Sequence, residues 1–72
     1  MQTGYYIDGS NYIYGPRFGG QFYIIDNRIY GPGANGVYYL DSSGCICGAG
    51  GQTGFMVRNG LIYGPSTQLP WF

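Results

Sequence analysis

Apolar and aromatic residues alternate with polar ones in short bursts along this chain, and each burst breaks at a turn signal. Such period-two patterning predicts short half-buried strands rather than helices. Phe55-Met56-Val57-Arg58 runs into Asn59-Gly60 and out through Leu61-Ile62-Tyr63-Gly64. Asn-Gly between alternating runs predicts a two-residue type I′ hairpin. Phe22-Tyr23-Ile24-Ile25 and Arg28-Ile29-Tyr30-Gly31 flank Asp26-Asn27 at the same spacing. Two further units are one residue longer. Ser42-Ser43-Gly44 and Gly9-Ser10-Asn11 read as three-residue loops, with Gly44 and Asn11 in the left-handed position.

The four units are near-copies. Ile-Tyr-Gly-Pro occurs at Ile13, Ile29 and Ile62, with the degenerate Ile46-Cys47-Gly48-Ala49 between the last two. The isoleucines stand 16, 17 and 16 residues apart. A period this short describes one supersecondary unit that needs its neighbours to bury its apolar face. The fold class expected is therefore all-β: four tandem β-hairpin repeats of about 16–17 residues forming a short-stranded antiparallel meander in a single domain, 1–72. The hairpins span about 4–16, 21–32, 36–49 and 54–65, and a tail covers 66–72.

The turns fix the register. Val57 faces Ile62, Ile24 faces Ile29, Ile7 faces Ile13 and Leu40 faces Ile46. Alternation puts these eight aliphatic residues on one face, with Tyr5, Phe22, Tyr38 and Phe55 opposite Gly15, Gly31, Gly48 and Gly64. The other face carries a tyrosine ladder: Tyr6, Tyr14, Tyr23, Tyr30, Tyr39 and Tyr63, completed by Met56 and Cys47. Asp8, Arg28, Asp41 and Arg58 also lie on that second face, so the aliphatic face is the expected core.

Pro16, Pro32 and Pro65 end the second strand of their units. Linkers follow at 17–20, 33–35 and 50–53, and Gln-Thr-Gly leads into both the first and the fourth units, at Gln2 and Gln52. The Leu69-Pro70-Trp71-Phe72 tail is expected to pack onto an open end of the core, as terminal caps of repeat arrays do. Two arrangements satisfy the pattern. One is a small closed meander with pseudo-fourfold symmetry. The other is an open twisted sheet stabilised by a second copy.

Composition limits the chemistry. Three basic and three acidic residues give zero net charge, and there is no His. Nothing here attracts nucleic acid or an anionic membrane. The start of the chain lacks a signal-peptide pattern and no apolar run reaches membrane-helix length, so a cytoplasmic location is the default expectation. The three aspartates, Asp8, Asp26 and Asp41, all fall at turns, where carboxylates cap backbone donors. No catalytic residue, cofactor or metal ligand set is expected. Cys45 and Cys47 point to one face as free thiols, with Cys47 in a tyrosine position. A disulfide between them sits at the edge of the allowed geometry. They supply half a zinc site that only another chain could complete.

Tyrosine offers flat amphipathic contact area at low entropic cost. The six ladder tyrosines are thus the candidate interface. The expected function is a non-catalytic structural or protein-interaction module, a homo-oligomer joined through the Tyr face or the sheet ends. The alternative is a module that stacks a glycan or quaternary amine on those rings.

The Tyr5-Tyr6 and Tyr38-Tyr39 pairs, the Gly after each second strand and the short turns resemble tandem-hairpin proteins, chiefly choline-binding repeats and, more distantly, MORN repeats. The resemblance covers the whole chain and implies tandem hairpins. It does not carry over a choline site, because the single Trp lies outside the repeats.

Overall fold

The computed structural model describes residues 1–72, and every regular element is a strand. The strands are β1 (Gln2–Ile7), β2 (Tyr12–Tyr14), β3 (Gly19–Ile25), β4 (Arg28–Tyr30), β5 (Tyr39–Leu40), β6 (Cys45–Gly48), β7 (Gly51–Arg58) and β8 (Leu61–Tyr63). Each pairs antiparallel with the next, and β8 pairs back onto β1. The meander is a closed barrel, so the open-sheet alternative falls. Closure leaves no unpaired edge for another chain to extend. Self-association through sheet ends, one of the two routes expected, is therefore removed.

The turns are those the sequence asks for. Asp26 and Asn27 have φ of 52° and 64°, and Asn59 and Gly60 have 54° and 76°, the paired positive values of type I′ turns. In the longer loops Asn11 (φ 68°) and Gly44 (φ 84°) take the left-handed position. Asp8 Oδ1 accepts from the amides of Ser10 (2.9 Å) and Tyr12 (3.0 Å). Asp41 Oδ1 does the same for Ser43 (2.9 Å) and Cys45 (3.0 Å). These carboxylates are structural caps.

With the turns set, the registers follow. Ile7 lies opposite Ile13, Ile24 opposite Ile29, Leu40 opposite Ile46 and Val57 opposite Ile62. Ile13, Ile29, Ile46 and Ile62 are fully buried. Their partners Ile7, Ile24, Leu40 and Val57 are half-buried and pack against the same core. Burying one isoleucine contributes about 1.5–3 kcal/mol, so these four supply a substantial share of the stability.

Each aromatic ring opposite a glycine closes over it. A Cβ on Gly15 would meet the Tyr5 ring at 2.0 Å, and one on Gly64 would meet Phe55 at 2.1 Å. Gly31 and Gly48 stand in the same relation to Phe22 (2.5 Å) and Tyr38 (2.8 Å). A side chain there would displace the ring from the barrel interior.

The segments read as linkers are only partly so. β3 and β7 begin inside them, at Gly19 and Gly51. The register slips beside these starts, between Ile13 and Tyr14 and between Ile46 and Cys47. The extra residues are bulges, which bend a strand and help a short sheet close. The repeated Gln-Thr-Gly builds two of the irregular joints. Thr53 Oγ1 donates to Ile46 O (2.7 Å) and accepts from Phe55 N (3.2 Å). Thr3 repeats this at the β1–β8 seam, donating to Ile62 O (2.7 Å) and accepting from Tyr5 N (3.2 Å). The hydroxyl bridges a backbone donor and acceptor where the ladder slips. Phe18, also in a linker, turns inward and stacks on Tyr5 at 4.9 Å.

The tail plugs the core as expected. Leu69 and Trp71 are buried, and Trp71 packs edge-on against Phe22 at 6.3 Å. Phe72 is half exposed, against Phe18 (5.0 Å) and under the Arg17 guanidinium (5.8 Å). Tyr38 Oη donates to Pro70 O at 3.0 Å. The Trp71 indole nitrogen and Tyr5 hydroxyl are buried without a hydrogen-bond partner, so ring packing carries most of the attachment.

Two predictions follow from these contacts. Gly64→Ala changes no backbone preference but forces Phe55 to move; overpacking of this kind costs about 1–3 kcal/mol. Urea denaturation checks it, and an unchanged midpoint would refute the aromatic-on-glycine contact. Thr53→Val keeps the shape and removes the bridge, leaving Phe55 N and Ile46 O short of a partner, at a cost of about 1–3 kcal/mol. Faster amide exchange at Phe55 is the accompanying signature.

Candidate functional site

Alternation places the ladder tyrosines on the outer wall of the barrel. Tyr6 and Tyr14 pair across β1 and β2, their rings stacked at 5.8 Å and 21°. Tyr23 and Tyr30 pair across β3 and β4 at 6.0 Å and 24°. Tyr12, absent from the predicted ladder, extends this second row: it lies opposite Tyr23 with ring centroids 5.8 Å apart. Its position was legible, because Tyr12 is two residues from Tyr14 and must share its face.

Tyr39 lies opposite Arg28, whose guanidinium sits over its ring at 5.7 Å. Arg28 also donates to Gly36 O at 2.9 Å. Tyr63 stands apart, between Met56 on β7 and Gln2 on β1. A closed wall curves away from itself, so the six tyrosines do not form one flat face.

The wall divides chemically. Over β2 to β5 lie Tyr12, Tyr23 and Tyr30, with Ile25, Arg28 and Tyr39 along the adjoining row. Ile25 is 52% exposed, Tyr12 42% and Tyr39 37%. Over β6 to β8 lie Cys45, Cys47, Met56 and Tyr63. A recess of about 270 Å³ opens on that side, lined by Met1, Met56, Arg58 and Tyr63. Both cysteines are free thiols, Cys45 half-buried and Cys47 buried. The chain has no cluster of three or more His, Cys, Asp or Glu side chains able to hold a metal.

Two groups titrate abnormally. Burial pushes the Cys47 thiol upward, helped by the charges of Asp41 and Cys45 and opposed by the nearby Tyr39 hydroxyl. The Tyr14 phenol is also raised, first by desolvation, then by the nearby charge of Asp8. A raised phenol stabilises the fold below the ordinary value of 10.0, and that contribution disappears as pH climbs through the raised pKa. Asp8→Asn removes the charge and brings Tyr14 back toward its ordinary range. Carbon-13 NMR of the ring Cζ checks this, and an unmoved titration would show that Asp8 has no part in it.

No helix is long and apolar enough to cross a membrane. Comparison with protein-family models, curated proteins and solved structures finds no match for this chain.

Proposed function

We propose that this chain is a non-catalytic interaction module that pairs with a second copy of itself through the tyrosine wall over β2 to β5. The observation carrying this reading is the aromatic row Tyr12, Tyr23 and Tyr30, the first pair tilted and the second stacked, flanked by exposed Ile25 and Tyr39 and by Arg28. Tyrosine and arginine are enriched in interface hot spots, and stacked rings lose little entropy when covered. The barrel interior is filled by side chains, so binding falls to the outside.

A standard interface takes roughly 800 Å² from each partner. The molecule exposes 4194 Å², so an interface of that size takes about a fifth of its surface. The patch is self-complementary in charge. Asp26 and Arg28 at one hairpin tip carry opposite signs, so a two-fold axis passing beside that tip would set each against the opposite charge of the second copy.

The rival reading is glycan or quaternary-amine stacking. It requires rings that converge on a ligand. A convex wall splays them, and the recess on the other side contains one ladder tyrosine, Tyr63. Self-association is therefore the reading the geometry favours.

Sedimentation equilibrium at micromolar concentration provides the test. The expected result is twice the 7.9 kDa chain mass. Tyr12→Ser with Tyr23→Ser should weaken the dimer at least about tenfold, as loss of aromatic anchors does. A monomer throughout, or a dimer indifferent to both substitutions, would overturn the proposal.

A further inference from the structure

The outer wall of β6 and β7 carries three sulfur-bearing side chains, Cys45, Cys47 and Met56. Cys45 and Cys47 flank Ile46, which is fully buried, so both thiols point outward. Cys45 lies directly opposite Met56. Such cross-strand neighbours have Cβ atoms about 4.5–5.5 Å apart. The Cys47 sulfur leans back along the strand, 4.0 Å from the Cys45 carbonyl oxygen.

Residues two apart on a strand have Cα atoms about 6.6–6.8 Å apart, the far limit of disulfide reach. A bridging metal relaxes that limit. Two metal–sulfur bonds of about 2.3 Å hold the donors up to about 4.6 Å apart. Spacing that strains a disulfide thus suits an ion between the sulfurs. There is no His, and the one carboxylate beside the thiols, Asp41, already caps the amides of Ser43 and Cys45, so the donors left for an ion are soft. Thiolate and thioether donors together select monovalent copper over zinc or hard cations.

We propose that Cys45, Cys47 and Met56 form a binding site for one soft monovalent cation, Cu(I) or its analogue Ag(I). Cys45 is half-buried and open to an incoming ion, while Cys47 is buried and gives the site a dry floor. Binding breaks two S–H bonds and forms two S–metal bonds. Two protons leave to solvent, no electron is transferred, and Met56 adds its thioether sulfur as a neutral third donor. The loaded site carries one net negative charge. Asp41 opposes that charge, and Arg58, two residues beyond Met56 on the same wall, offsets it.

The experiment is an anaerobic Ag(I) titration of the reduced 72-residue chain against a competing chelator, following ultraviolet thiolate–metal absorption and proton release. The expected result is one ion per chain, two protons per ion and a raised Tm. Cys45→Ser should lower affinity by at least about a hundredfold and Met56→Leu by about tenfold, as losing an anionic or a neutral donor does. Cys45 is not a core residue, so its variant carries the test even if Cys47→Ser fails to fold. Wild-type affinity in Cys45→Ser or in Met56→Leu would overturn the site. So would one ion shared between two chains.

Discussion

Everything in this barrel depends on an aromatic ring lying flat on a glycine across each hairpin. Tyr5 covers Gly15, Phe22 covers Gly31, Tyr38 covers Gly48 and Phe55 covers Gly64. The missing Cβ lets a large ring occupy the interior of a barrel whose strands are only two to eight residues long. Eight strands leave an interior about wide enough for side chains to fill. Four rings, four buried isoleucines, Phe18 and the tail fill this one. A smaller residue in place of the ring would leave a void, and any side chain on the glycine would expel the ring.

The second constraint is closure. Short hairpins alone are marginal in water, and an open sheet of them would expose edges. Bulges at the irregular joints bend the sheet, and Thr3 and Thr53 satisfy the backbone groups those bulges disturb. The seam joins the two ends of the chain: Gly64 N donates to Met1 O at 2.9 Å, and the terminal amine donates back to Gly64 O at 3.1 Å. Seven of the eight strand pairings are between sequence neighbours. The seam alone is non-local, so it bears most of the loop-closure cost of folding.

Closure also decides where function can reside. A filled interior and absent edges leave the outer wall, and the wall has two characters. The β2–β5 side is aromatic, suited to covering by another apolar surface. The β6–β8 side is sulfur-rich, because the third unit carries Cys47 and the fourth Met56 where the other units carry a ladder tyrosine. The two proposals rest on different flanks and can fail independently.

The sequence by itself determined the hairpins. Asn59-Gly60, Asp26-Asn27 and the two Asp-capped loops are local signals, and each fixes a register because the side-chain period of a strand is two. The aliphatic core, the aromatic-on-glycine pairs, the capping aspartates and the outward tyrosines were all legible on that ground. The tail's role was legible from its apolar content alone. Tertiary structure decided the rest. Whether β8 would meet β1 depends on curvature accumulated over every joint, which no single turn encodes. The inward turn of Phe18 and the bridging hydroxyls of Thr3 and Thr53 depend on neighbours brought near by that curvature. The same bending split the tyrosine ladder. Residues that share a face in a flat sheet point in different directions once the sheet closes.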